Sequence, residues 1–126
     1  MKGKIQFYGW CQGERKQSFL YSLDALIVPS LYEPFGYVVL EAMEANVPLI
    51  CSNRGGMAEI MGDSPFLFDP YESGDLQRAI LLFQQASTAE IQQEIERLQG
   101  RRQYFGATRM RDNYRQLFEE MLSIDV

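Results

Sequence analysis

Histidine is absent from this sequence of 126 residues, and cysteine occurs only at Cys11 and Cys51. The lack of imidazoles excludes a nucleophilic triad built on histidine and a metal site with histidine ligands. The two cysteines are far apart and in no spacing typical of a metal site. We therefore interpret them as reduced thiols of a cytoplasmic protein.

Basic residues are in deficit, with 12 Lys and Arg against 17 Asp and Glu and a formal net charge of −5. A general nucleic-acid binder needs a basic face, so nucleic acid is not an expected partner. No apolar run approaches the roughly 20 residues of a membrane-spanning helix. Lys2 and Lys4 are followed by polar residues, unlike a signal peptide. With 46% hydrophobic residues, the composition is that of a globular domain.

Short apolar β-forming segments alternate with amphipathic helical ones, which predicts a parallel sheet. We expect an α/β fold with a Rossmann-like parallel sheet of about four strands, flanking helices and a helical tail. Residues 1–126 form one domain, with a sheet portion over 1–71 and a helical tail over 72–126. Asn46 is predicted to end the helix after the second strand. The strands are predicted at 4–9, 24–30, 47–52 and 65–70, and the helices at 14–23, 36–46, 55–63, 74–87, 88–105 and 107–124.

Ligands of open α/β sheets bind beyond the carboxyl ends of the strands, and the loop after the second strand is the most informative. Its Pro-Phe-Gly corner turns into a helix, so the amides of Gly36, Tyr37 and Val38 would face an anion. Glu33 precedes the corner, and Glu41 lies about 7 Å further along the helix axis. Such a pair suits a diphosphate-bridged ligand with a hexose at one acid and a ribose at the other. Alternatively, Glu33 is a solvated loop acid and Glu41 lies on a wet helix edge.

The residues of the next loop, SNRGGMAE, also have two interpretations each, one as part of the ligand site and one as ordinary structure. Gly55 and Gly56 either face the same crevice or form an ordinary turn. Arg54 either pairs with phosphate or is a surface charge. Glu59 either caps its own helix or reaches the ligand.

The segment DALIVPSLYEPFGYVVLEAMEANVPLICSNRGGMAEIM closely resembles the donor-binding half of glycosyltransferase family 4, the group 1 glycosyltransferases of GT-B fold. The two acids separated by seven residues, the Pro-Phe-Gly after the first and the Glu-Ala-Met at the second carry the resemblance, which covers Lys4 to about Tyr71. The glycine pair and Glu59 support it separately.

This resemblance implies transfer of a sugar from a nucleotide-diphosphate donor to an acceptor, with retention of configuration. It also implies that no metal is generally needed, and we expect no cofactor besides the nucleotide sugar as substrate. Glu33 would be the catalytic residue, contacting donor-sugar hydroxyls beside the developing positive charge. Glu41 would bind the ribose, and the loop at Gly9 would border the base. The residues implied in donor binding are Gly9, Phe35, Gly36, Tyr37, Val38, Glu41, Gly55 and Gly56.

Family members carry an upstream acceptor-binding domain and two further strand–helix units, which have no counterpart in this sequence. We therefore expect a truncated donor-binding part, incomplete alone, or a non-catalytic module that needs a separate acceptor-binding subunit. The missing strands would leave a sheet edge open, which predicts a homo-oligomer or an unusual strand order. A flavodoxin-like or receiver domain fits the alternation, but Gly9, Trp10 and Cys11 stand where its acidic pair would lie.

The tail is rich in arginine, and in this family such helices can lie near membranes. A peripheral position at the inner membrane face is one interpretation. The other is a solvated helix face that mixes these cations with acids such as Glu94 and Glu96. The arginines are Arg97, Arg101, Arg102, Arg109, Arg111 and Arg115.

Overall fold

The computed structural model describes residues 3–105 and 107–123. Strands and helices alternate in its first half, and three helices follow. The strands are β1 (Leu26–Val28), β2 (Leu49–Ser52) and β3 (Leu67–Phe68). The helices are α1 (Gly13–Tyr21), α2 (Tyr37–Glu44), α3 (Gly55–Met61), α4 (Asp75–Gln85), α5 (Thr88–Phe105) and α6 (Ala107–Leu122).

The three strands form one parallel sheet in the order β1-β2-β3. Leu26 aligns with Leu49, and Cys51 aligns with Leu67. All four residues of β2 are buried, as expected of a central strand covered on both faces. The carboxyl ends of all three strands therefore meet at one edge, and the loops that follow them lie side by side.

Successive residues of β2 point to opposite faces, which divides the core into two parts. Leu49 and Cys51 pack with buried residues of α2, α3 and α5. Ile50 packs on the other face with Phe66, Phe68 and residues of α4. Cys51 is fully buried, which raises the pKa of its thiol to about 12. Both cysteines are free thiols.

The predicted first strand is wrong, and the sheet has three strands rather than about four. Residues 4–9 form no strand in the described structure. Their alternating apolar pattern indicates a capacity to form a strand, but a strand also needs a neighbour to satisfy its backbone groups. β1 pairs with β2 alone, so its other edge carries no strand of the described chain. The three strands that are present follow sequence order, so the unusual order is not observed.

Two residues with positive φ bound the helix that carries the predicted site. Gly36, with φ 73°, stands at the start of α2, and Asn46, with φ 56°, lies just beyond its end. The left-handed conformation of Asn46 confirms its predicted role as a C-terminal cap. Its amide donates to the Met43 carbonyl at 3.1 Å.

The helix α5 packs against α2 and α3 and holds the end of α3. Arg101 Nε donates to the Ile60 carbonyl at 2.7 Å, and Arg97 Nη2 donates to the Met61 carbonyl at 2.8 Å. Arg97 also forms two 2.8 Å hydrogen bonds with the carboxylate of Glu94, which is buried. These cations meet the negative end of α3. The interpretation of this part of the tail as a solvated face is therefore wrong for Arg97, Arg101 and Glu94.

The predicted helix break at Gly106 and the predicted helix end at residue 124 lie outside the described residues. Within the described ranges, no helix combines the length and the apolar character that crossing a membrane requires.

Candidate functional site

Direct hydrogen bonds tie together the loops at the carboxyl edge of the sheet. Ser52 Oγ donates to the Ser30 carbonyl at 2.5 Å, which links the ends of β2 and β1. The Gly56 amide donates to the Glu33 carbonyl at 2.8 Å. The loops after β1 and β2 therefore form one backbone surface at the start of α2.

Glu33 closes the corner that precedes α2. Its Oε1 accepts hydrogen bonds from the amides of Phe35 at 3.3 Å and Gly36 at 3.1 Å. One of the three amides predicted to face an anion is thus already bound by a carboxylate of the chain. The amides of Tyr37 and Val38 have no acceptor within the described residues. The anion position that remains is made by these two amides at the positive end of the helix.

The glycine pair supports this corner through its backbone. A Cβ added at Gly55 or Gly56 would come within 3.0 Å of the backbone of Glu33 or Pro34, respectively. Gly55 also has φ +57°, a backbone conformation that residues with a side chain rarely adopt. Both residues therefore pack against the Glu33–Gly36 loop, and the Gly56 amide already has its acceptor there.

The predicted donor-binding residues of α2 share its exposed side. Val38 and Tyr37 precede Glu41 by three and four residues, so the three lie on one helix face. The rings of Tyr37 and Phe35 are both exposed, with centroids 5.6 Å apart. This face runs from the Glu33 corner past the two amides to Glu41.

Glu41 faces a cleft between α2 and α1. Its Oε2 forms an ion pair with Lys16 Nζ at 2.8 Å, and both side chains are partly exposed. The cleft measures about 300 Å³. Gly13, Lys16, Gln17, Leu20, Tyr21, Glu41, Glu44 and Ala45 line it. The sequence did not indicate the contact between Lys16 and Glu41, since the two residues lie far apart in the chain.

Gly9 belongs to the segment that precedes α1. Arg15 Nη2 donates to the Tyr8 carbonyl at 3.1 Å, and the Tyr8 and Phe19 rings lie 5.0 Å apart. These contacts hold the segment against α1. A side chain added at Gly9 would meet nothing within 4 Å, so this position is open.

Arg54, which precedes the glycine pair, has partners in the loop after β3. Its Nη2 lies 2.8 Å from Asp69 Oδ1, and its guanidinium lies 4.9 Å from the centre of the Tyr71 ring. Its Nε is buried with no partner in the described structure. A hydrogen bond from the Tyr71 amide and another from Arg54 lower the pKa of Asp69. Asp69 was not predicted, although its place directly after β3 was a signal that could have identified it.

Glu59 lies exposed on α3, and no contact joins its carboxylate to the Glu33 corner within the described residues. Its backbone carbonyl accepts a 2.6 Å hydrogen bond from Arg101. In the described part of the chain, no group of three or more His, Cys, Asp or Glu side chains could hold a metal ion.

Comparison with known proteins identifies the family of this site. Residues 1–97 match the family described as glycosyl transferases group 1. An uncharacterized glycosyltransferase of Methanocaldococcus jannaschii is 41% identical over 61 residues, which are 48% of this chain and 16% of that protein. The O-antigen chain mannosyltransferase B of Escherichia coli is 32% identical over 80 residues, which are 64% of this chain and 21% of that protein.

A solved structure shows the same fold. Sucrose-phosphate synthase from Thermosynechococcus elongatus superimposes with a TM-score of 0.66 at 31% identity, over 84% of this chain and 28% of its own. The matched segments thus span 16% to 28% of the length of these three relatives. The match of residues 1–97 covers most of the sequence, and the chain belongs to the group 1 glycosyl transferase family.

Proposed function

We propose that this chain is the donor-binding part of a retaining glycosyltransferase and that it binds a nucleoside-diphosphate sugar along the exposed face of α2. The observation that carries the proposal is the juxtaposition of two amides without acceptors, at Tyr37 and Val38, with a carboxylate at either end of the same face. An anion at a helix start needs no metal, because amides and the helix dipole stabilise it.

Glu33 is suited to hold the donor sugar. Two amides fix the orientation of its Oε1, while its Oε2 accepts no hydrogen bond from the described residues. A fixed carboxylate accepts hydrogen bonds from sugar hydroxyls. It also stabilises the positive charge that develops on the sugar ring as the leaving group departs.

Glu41 is suited to hold the ribose at the other end of the diphosphate. In the structure its carboxylate is paired with Lys16, so nucleotide binding would have to break or share this ion pair. Exposed ion pairs contribute only about 0.2–1 kcal/mol, which a ribose held through two hydroxyls can offset.

The proposed reaction breaks the bond between the anomeric carbon and the diphosphate oxygen. The acceptor hydroxyl oxygen bonds to the anomeric carbon from the face that the diphosphate leaves. The hydroxyl proton passes to the departing diphosphate. The chain contributes charge stabilisation at the helix start and at Glu33, rather than a pair of acid and base carboxylates.

The alternative function is that of a non-catalytic module, which binds the donor or assists assembly while a separate subunit binds the acceptor. The two functions differ in a direct assay. A chain that binds a nucleotide sugar but transfers or hydrolyses it only when the acceptor-binding subunit is added is a module.

Calorimetric titration with UDP-, GDP- and ADP-sugars tests donor binding. We expect Glu41→Gln to weaken the binding of the preferred nucleotide roughly tenfold, because a hydrogen bond to a charged group contributes about 1.5–3 kcal/mol. Glu96→Gln is the matched control, since it makes the same change on an exposed side of α5. If Glu41→Gln and Glu96→Gln bind every nucleotide with equal affinity, the proposed donor site is contradicted.

A backbone variant tests the anion position separately. Val38→Pro removes one of the two amides in the first helical turn, where proline is tolerated. We expect it to weaken the binding of nucleoside diphosphates and to leave the binding of the nucleoside unchanged. Circular dichroism confirms that the variant is folded. An equal effect on both ligands would mean that the diphosphate lies elsewhere.

A further inference from the structure

The loop between β1 and α2 carries Glu33 and contains no buried residue. Every residue from 29 to 35 is half-buried or exposed. Leu31 and Tyr32, which directly precede Glu33, are 57% and 78% exposed. The packing of apolar side chains therefore does not fix this loop, and its position depends on hydrogen bonds to its backbone.

Two hydrogen bonds from the neighbouring loop hold the backbone on either side of Leu31 and Tyr32. Ser52 Oγ donates to the Ser30 carbonyl at 2.5 Å, and the Gly56 amide donates to the Glu33 carbonyl at 2.8 Å. Both donors belong to the segment that runs from the end of β2 into α3. This segment therefore sets the position of the backbone from which the Glu33 side chain extends.

Ser52 makes its contact just beyond the last pair of the strand ladder. The pairing of β1 with β2 ends at Val28 and Cys51, and the Ser52 hydroxyl adds one more bond between the two chain segments, at Ser30. Ser52 is fully buried, and its backbone aligns with Phe68 of β3. A buried hydroxyl on a central strand has a fixed position, and a buried polar group requires a hydrogen-bond partner.

We propose that Ser52 is a positioning residue of the candidate site: its hydroxyl fixes the loop at Ser30 and thereby the place that the Glu33 carboxylate takes at the donor sugar. This inference rests on the proposed function of Glu33. Because Ser52 is buried, it acts through Glu33 rather than by touching the ligand. The amides of Phe35 and Gly36 orient the carboxylate relative to its own loop, whereas the bond from Ser52 sets that loop on the sheet.

Loss of the hydroxyl would affect the loop and the helix after it differently. The half-buried Ser30 would have to turn its carbonyl toward water to recover a hydrogen bond, and the backbone before Glu33 would shift with it. The helix α2 would stay in place, because Val39, Ala42 and Met43 anchor it in the core. Sugar binding at Glu33 should therefore suffer, while nucleotide binding along α2 should not.

Amide hydrogen exchange of the whole chain, followed by NMR, tests the positioning without a ligand. We expect Ser52→Ala to accelerate exchange of the Gly36 amide, which the Glu33 carboxylate binds, at least about fivefold more than exchange of the Cys51 amide in β2. Ser64→Ala is the matched control, because Ser64 is also buried with a hydrogen-bonded hydroxyl, but it lies before β3 at the opposite edge of the sheet. It should accelerate the Gly36 amide no more than the Cys51 amide. Equal acceleration of both amides in Ser52→Ala would mean that the hydroxyl only stabilises the sheet, and would overturn the proposal.

Calorimetry with UDP-, GDP- and ADP-sugars and with the matching nucleoside diphosphates tests the consequence for the donor. We expect Ser52→Ala to bind the preferred nucleotide sugar roughly tenfold more weakly than the wild type, and the nucleoside diphosphate within about twofold of it. Ser52→Thr keeps the hydroxyl and should restore the affinity for the sugar-bearing ligand. An equal loss for both ligands, or no loss for either, would contradict the proposal. A wild type that binds no nucleotide sugar would overturn the proposed function instead, and the exchange experiment would still decide whether Ser52 fixes Glu33.

Discussion

The amide of Gly56 donates a 2.8 Å hydrogen bond to the carbonyl of Glu33, which binds the start of α3 to the corner that begins α2. Two glycines make this approach feasible, because a Cβ at either position would collide with the loop backbone. The glycine pair thus acts on the candidate site through the position of Glu33. A role in contacting the donor directly stays a prediction for Gly55, and the Gly56 amide is already engaged.

Replacing Gly55 with alanine should destabilise the fold strongly. The added Cβ would overlap the Glu33 carbonyl, and the left-handed φ would be strained, so we expect a loss of at least about 2 kcal/mol in the free energy of unfolding. Gly100→Ala is the control, because nothing lies within 4 Å of the added Cβ inside α5. It should stabilise the protein by about 0.5–1 kcal/mol. Urea unfolding of both variants measures the difference, and similar values would contradict the packing described.

Lys16 and a bound nucleotide should compete for Glu41. Lys16→Met removes the ion pair without altering Glu41, so we expect donor affinity to rise by about two- to fivefold, the equivalent of an exposed ion pair. Calorimetry on the variant and on Arg102→Met, which removes a positive charge on α5 instead, measures this gain. A loss of affinity specific to Lys16→Met would instead mean that Lys16 contacts the ligand.

Removing Arg97 should leave the buried carboxylate of Glu94 without its partner. We expect Arg97→Met to reduce the free energy of unfolding by about 3 kcal/mol, because an unpaired buried charge is costly. The double variant Glu94→Leu with Arg97→Met should lose less. Arg102→Met should cost below about 1 kcal/mol, since among the described residues Arg102 hydrogen-bonds to Gln99 only. If the double variant is as unstable as Arg97→Met, the loss of stability comes mainly from the lost hydrogen bond between Arg97 and the Met61 carbonyl, and not from the unpaired Glu94.

Asp69 should make stability depend on pH. Hydrogen bonds from the Tyr71 amide and from Arg54 lower its pKa in the folded state, so its contribution is present above the unfolded value of about 3.9 and is lost as the pH falls through the lower folded value. The melting temperature of Asp69→Asn should therefore lie below that of the wild type at pH 7, and the gap should close in acid. Glu72→Gln, at a carboxylate with no ion pair in the described structure, should show no such closing gap. A gap of constant size from pH 7 to pH 2.5 would contradict this role.

Much of the fold could be predicted from the sequence because the relevant signals are local. The continuous apolar runs of β1 and β2 and the helical periodicity of α4 and α5 depend on residues close in sequence, and all four elements lie where predicted. The cap at Asn46, which has a positive φ, was predicted from an equally local signal, since a helix that ends at an exposed polar residue needs a cap there.

The candidate site was predicted only in part. The corner at Glu33 and the shared face of Tyr37 and Glu41 follow from the turn residues and from helix geometry. The partner of Glu41 could not be predicted, because Lys16 reaches it only once α1 packs beside α2. The partners of Arg54 likewise depend on the loop after β3 lying beside the loop after β2.

The amino-acid order by itself determined which segments can be strands or helices, and it determined the motif that places the chain among the group 1 glycosyl transferases. Tertiary structure decided what those segments do. Residues 4–9 have the pattern of a strand but form none, because a strand exists only when a neighbour satisfies its backbone groups. The sequence pattern places Arg97 and Arg101 on a charged helix surface. In the structure they hold the end of α3, because the packing of α5 brings them to carbonyls that are distant in sequence.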